Sequence, residues 1–224
     1  MEVAMDDILG ERLELFRLAG PDQALVKQAG ELLTEDLDKV LDRFHEPARS
    51  DERMSAFFAD EQQVAHARDV QKAHWKRLLA GRFDGDYFES TRRVGQAYFR
   101  MELSFLLYLS CHARSASSLQ AMLLRRIGRG RMAFHPGRTS AMLGALSRAF
   151  TMDIELVIDA YLQAQGKEQE IAFGYIAKAV QAISDGDLFH RIPAPSDSDY
   201  PEKFEAIRLD LHALAEGFTG LIGS

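Results

Sequence analysis

The segment TRRVGQAYFRMELSFLLYLSCH, Thr91–His112, holds no proline and no glycine after Gly95. Its apolar residues recur at helical spacing: Tyr98, Met101, Phe105 and Leu109 share one line, with Leu103, Leu106 and Leu107 beside it. So broad a stripe predicts one buried helix through the whole segment, the hub of an all-α domain.

On the N-terminal side, Glu61–Leu79 reads as a long helix whose stripe is Val64, Ala67, Val70/Gln71, His74/Trp75 and Leu78. Gly81–Gly85 turns the chain into the hub. Earlier, a short helix over Glu11–Leu18 ends at Gly20-Pro21, and a second runs from Asp22 to Phe44 with a break at Gly30. Leu33, Leu37, Val40, Leu41 and Phe44 line one face of it. Pro47 stops that helix, and Ser50-Asp51 caps a short one carrying Met54, Phe57 and Phe58. After the hub, a break is expected at Ser115–Ser118 and a loop at Gly128–Gly137. A last helix is expected from Thr139 to Ala164, with Phe150, Ile154, Val157 and Tyr161 in line. No alternating strand pattern outweighs these readings.

A chain of 224 residues, 46% hydrophobic and 27% charged, can bury a core and remain well solvated. The lone Cys111, set among apolar neighbours, reads as an inert buried thiol. No run approaches the ~20 apolar residues of a membrane span, and the acidic start MEVAMDDILGERLELF is no signal peptide. A cytoplasmic location is expected. Net charge −7 argues against non-specific nucleic-acid binding. The window between Glu102 and Asp153 nevertheless has no acid and contains Arg114, Arg125, Arg126, Arg129, Arg131, Arg138 and Arg148. It reads as solvated surface, with a small anion or an acidic partner surface as alternatives. GRGR lacks the Lys-Ser/Thr ending of a phosphate loop, and no nucleophile motif occurs. No catalytic residues, no metal site and no enzyme activity are expected.

Three pieces resemble globin-coupled sensors, whose sensor domain is protoglobin-like. They are QKAHWKRLLAGRFDGDYFESTRRVG (Gln71–Gly95), Arg100-Met-Glu-Leu103 with Tyr108, and RAFTMDIELVIDAYL (Arg148–Leu162). The resemblance implies a globin-like sensor domain over residues 1–164. It places the family's haem-ligating His on Tyr98 and its distal Tyr on His45, so the two residue types are exchanged. The candidate pocket residues are therefore Tyr98, His45 and His66, for haem or another ligand. No cofactor is expected, haem through one of these three residues being the alternative. His74 and His112 read as packed core histidines, and His135, His190 and His212 as solvated. Convergence of two or more of His45, His66 and His112 in one pocket would make a proton sensor.

Beyond Gln165-Gly166-Lys167, Ile176, Ala179 (or Val180) and Ile183 hint at a heptad, followed by Gly186-Asp187-Leu188 and Arg191-Ile192-Pro193. A polar connector then leads to Phe204, Ile207, Leu211, Leu214, Phe218 and Leu221, which step alternately by 3 and 4. This order is similar to a HAMP domain over residues 168–222, as in soluble chemotaxis receptors. The resemblance implies a homodimer through the hub helix, the last globin helix and the HAMP-like helices. It further implies a C-terminal output domain outside this chain, with chemotaxis kinase and adaptor proteins as partners. The expected function is the sensory and dimerisation region of a soluble chemoreceptor that has lost standard haem ligation. Alternatives are a haem-based oxygen or redox sensor with a non-standard axial ligand, or a sensor for a diguanylate cyclase or histidine kinase.

Overall fold

The computed structural model describes residues 2–44, 52, 61–128 and 135–222. The helices are α1 (Glu2–Leu15), α2 (Pro21–Leu33), α3 (Leu37–Phe44), α4 (Glu61–Leu79), α5 (Gly85–Arg100), α6 (Phe105–Gly128), α7 (Pro136–Ser184) and α8 (Glu205–Ile222). Short 3₁₀ turns at Thr34–Asp36 and Glu202–Phe204 complete the order. Among the described residues there is no strand, and no helix is long and apolar enough to cross a membrane. Two compact units are distinguished, Met1–Tyr161 and Leu162–Ser224.

The first unit is built around Trp75, fully buried on α4. Its indole meets the rings of Phe44 (5.3 Å), His112 (5.5 Å) and Phe150 (5.5 Å), all edge-on. The expected α3 face is buried throughout, and α4 has the bounds its periodicity predicted. The break between α2 and α3 is not at Gly30. There a Cβ would lie 1.9 Å from the Leu79 carbonyl oxygen, so Gly30 is the helical contact of α2 with the end of α4. The helix tightens instead at Thr34–Asp36, where Asp36 turns inward and accepts from Arg126 Nε at 2.8 Å.

The largest correction concerns the hub. It is two helices, because Glu102 adopts a left-handed conformation (φ 52°). Glu102 N–H bonds to Phe99 O and Leu103 N–H to Tyr98 O, both at 3.0 Å. This is a Schellman ending, in which Leu103 folds back on Tyr98 in one apolar cluster. Leu106 (76% exposed) and Leu109 (39%) consequently face outward. The expected break at Ser115–Ser118 is absent: Ser118 returns its hydroxyl to Arg114 O, satisfying itself along the helix. The first helix likewise starts before Glu11, and α7 begins at Pro136, a residue suited to a first turn.

Two arginines of the window, Arg126 and Arg148, are paired with acids within the unit, so it is not solely solvated surface. Arg126 pairs with Asp36 and Glu35, Arg148 with Asp22 at 2.7 Å, and Arg138 donates to Gln28 at 2.6 Å.

Helix α7 spans 49 residues and passes through Gly166, where the sequence predicted an end. One helical glycine costs only about 1 kcal/mol, and the flanking Gln165, Lys167, Glu168 and Gln169 are good helix formers. Within the second unit, Ala172, Ala179, Ile192 and Tyr200 form a small core, with Ile176, Phe204 and Leu211 against it. The expected heptad line of α8 is therefore divided. Phe204 and Leu211 pack inside the chain, while Ile207, Leu214 and Phe218 remain 41%, 49% and 42% exposed. His212, expected to be solvated, is half-buried and accepts the Ile192 backbone N–H at 3.0 Å. Burial, then Arg208 and Arg191, lowers its pKa.

Candidate functional site

Helix α5 is fixed at both ends and in the middle. Asp84 caps its start by accepting the Tyr87 N–H at 3.0 Å. At Gly95 it meets α7: a Cβ would lie 2.5 Å from Val157 O and 2.7 Å from Ala160 Cβ. Only a glycine lets the two helices approach so closely. With the Schellman ending, this crossing sets the rotation of α5 and turns Tyr98 inward.

A crevice of about 260 Å³ opens between α4 and α5. Its α4 wall is His66, Ala67, Val70 and Gln71. The α5 wall is Val94, Ala97, Tyr98 and Met101. Tyr98 is 8% exposed and donates its hydroxyl to Gln71 Oε1 at 3.0 Å. Its ring lies 5.1 Å from that of Tyr108. Burial, reinforced by Cys111 and Asp153, pushes the phenol pKa well above its ordinary value, so the neutral donor is strongly favoured. Two of the three candidate residues, Tyr98 and His66, thus line one cavity. His45 lies outside the described residues, as do Pro47, Ser50, Asp51, Met54, Phe57 and Phe58. Sequence reasoning passed over Gln71 as a stripe position; a carboxamide on an otherwise apolar face was the available signal.

A second polar centre, Asp153, went unrecognised in the sequence. It is fully buried on α7. Oδ1 accepts from Tyr87 Oη at 2.7 Å and contacts His74 Nε2 at 2.7 Å; Oδ2 contacts His112 Nε2 at 3.2 Å. Ser90 donates to Tyr87 O at 2.9 Å while its Oγ lies 2.6 Å from His74 Nδ1. The Ser90 hydroxyl thus bridges the Tyr87 carbonyl and the His74 ring. Burial alone would raise the Asp153 pKa; His74 and His112 outweigh it and hold the carboxyl well below the usual range. His74 and His112 are the hydrogen-bonded core histidines expected. His112 does not join His66 at the crevice, so that pair does not converge, and the pairs with His45 lie outside the described residues.

The Protoglobin family model matches residues 5–167. The chain belongs to the protoglobin family. That family has the all-α globin fold and normally binds haem. The match covers all but the first four residues of the first unit and supports a sensor globin of the globin-coupled kind. No curated protein matches the chain. In this protoglobin, the Tyr98–Gln71 crevice lies between two helices within the matched region.

Proposed function

We propose that the chain is the sensory and dimerisation region of a cytoplasmic signal-transduction protein, a globin sensor without standard haem ligation followed by a HAMP-like relay. The observation that carries this reading is Tyr98. At the position the family resemblance gives to the haem-ligating histidine, a buried phenol already donates to Gln71. A tyrosine ligand must be deprotonated and needs its pKa lowered, whereas burial raises this one. The crevice also misfits a haem. A cavity of about 150 Å³ holds one benzene, and 260 Å³ is far too small for a tetrapyrrole with its propionates. Among the described residues, no lysine or arginine lines it to pair with those carboxylates.

The relay is supported by the divided heptad line. Phe173 and Val180 on α7, seven residues apart, are exposed, as are Ile207, Leu214 and Phe218 on α8. In the proposed homodimer a second copy covers them. The output domain is taken to be a chemotaxis signalling module that engages kinase and adaptor proteins, and the chain itself has no catalytic role. Ligand capture at the crevice moves α5, and the Gly95 crossing passes the displacement to α7, provided the ligand prefers one arrangement.

An absorption spectrum after expression with added haem tests the sensor reading. No intense Soret band is expected. A band abolished by Tyr98→Phe, His45→Ala or His66→Ala would establish non-standard ligation instead, the reading that His66 on the crevice wall favours. Sedimentation of the full chain and of Leu214→Glu tests the relay: a dimer weakened by the charge is expected.

A further inference from the structure

The crevice walls specify a class of ligand. Ala67, Val70, Val94, Ala97 and Met101 provide apolar surface, and one buried hydrogen-bonding pair, Tyr98–Gln71, supplies the polar point. Apolar walls with a few convergent polar groups are the usual form of a small-molecule site. Its size bounds the occupant. At 260 Å³ the crevice is less than twice the ~150 Å³ that takes benzene, enough for one ring with a substituent or two fused rings. Among the described residues the wall includes no Lys, Arg, Asp or Glu, and its imidazole, His66, is exposed to solvent, so a charged ligand would lose hydration with little to offset it. Met101 and the Tyr98 ring favour an aromatic guest through sulfur and edge contacts.

We propose that the crevice binds a small uncharged aromatic molecule carrying one hydroxyl or carbonyl group, held at the Tyr98–Gln71 pair. This deepens the haem-free sensor reading and rests on it. The Tyr98 oxygen keeps acceptor capacity while donating to Gln71, so a ligand hydroxyl can join the pair. A ligand carbonyl can instead take the Tyr98 proton and release Gln71 on α4. Either exchange alters a side-chain hydrogen bond between α4 and α5 at the crevice, which ties occupancy to their local spacing.

The test is fluorine NMR titration of the haem-free 224-residue chain with 4-fluorophenol, fluorobenzene and 4-fluorobenzoate. Saturable 4-fluorophenol binding is expected, with 4-fluorobenzoate at least about tenfold weaker. Ala97→Leu and, separately, Val70→Phe fill the space and should weaken both neutral probes about tenfold or more, with folding checked by the single Trp75 fluorescence. Tyr98→Phe should weaken 4-fluorophenol up to about tenfold and fluorobenzene less than about twofold. The proposal is overturned if neither neutral probe saturates, if both filled variants bind as wild type does, or if the benzoate binds as tightly as the phenol. A Soret band in the same preparation would overturn the underlying haem-free reading; no band together with no probe binding overturns the ligand class alone.

Discussion

Tyr87 and Tyr98 lie about three turns apart on α5, both buried, both donating a phenol proton to a side chain on another helix. Tyr87 gives its proton to a carboxylate that two histidines also hold. Tyr98 gives its proton to a neutral carboxamide beside an open crevice. Breaking up a buried charged cluster strands a charge and costs several kcal/mol. Exchanging one neutral hydrogen bond for another costs little. The first tyrosine therefore serves a centre that must stay closed, and the second stands where a ligand can compete. One helix combines a fixed end and an adjustable end.

The strongest way to break this comparison is Asp153→Asn. It leaves His74 and His112 without their anion and should cost roughly 3–5 kcal/mol, read by urea denaturation followed at Trp75. A loss below about 1 kcal/mol would mean that the cluster is not the fixed centre. Gly95→Ala comes next. Its Cβ would meet the α7 backbone at Val157 O, so about 1–3 kcal/mol should be lost, with probe binding at the crevice changed as α5 shifts. Acid titration separates the centres without mutation. The folded Asp153 pKa lies below its ordinary 3.8, so its stabilisation is present above that pH and is lost as pH falls through the folded value. Asp153→Asn should flatten this acid limb, whereas Tyr98→Phe should leave it unchanged. Raised tyrosine pKa values act at the other extreme, removing stability only as pH rises above about 10.

Tyr98→Phe should cost no more than about 1.5 kcal/mol, and a larger loss would put the two tyrosines in one class. The smallest effect belongs to Glu102→Gly. Relief of a left-handed residue is offset by added freedom of the unfolded chain, so a gain of up to about 1 kcal/mol is expected, seen as a modest rise in Tm.

Three helix ends show why some boundaries were readable and others not. Gly186 (φ 87°) closes α7 with Gly186 N–H to Ile183 O and Asp187 N–H to Ala182 O. Arg17 (φ 50°) and Glu102 (φ 52°) close their helices by the same pair of bonds. A glycine at that position is a legible stop, whereas an arginine or glutamate is not. What bends the chain there is burial of the next residue, Leu18 or Leu103, against the helix just left.

The sequence by itself determined the all-helical class, the bounds of α4, the buried face of α3 and the family resemblance around Gly95, because helical period and motif spacing are local. It also marked Tyr98 as the position to explain and His66 as its neighbour. Only the tertiary structure decided that the hub is two helices, that Gln71 receives the Tyr98 proton, and that His74, Tyr87 and His112 converge on Asp153. Those partners are separated by 79, 66 and 41 residues along the chain. Their meeting depends on helix crossings set by close contacts such as Gly95 on Val157 and Gly30 on Leu79, which no local pattern encodes.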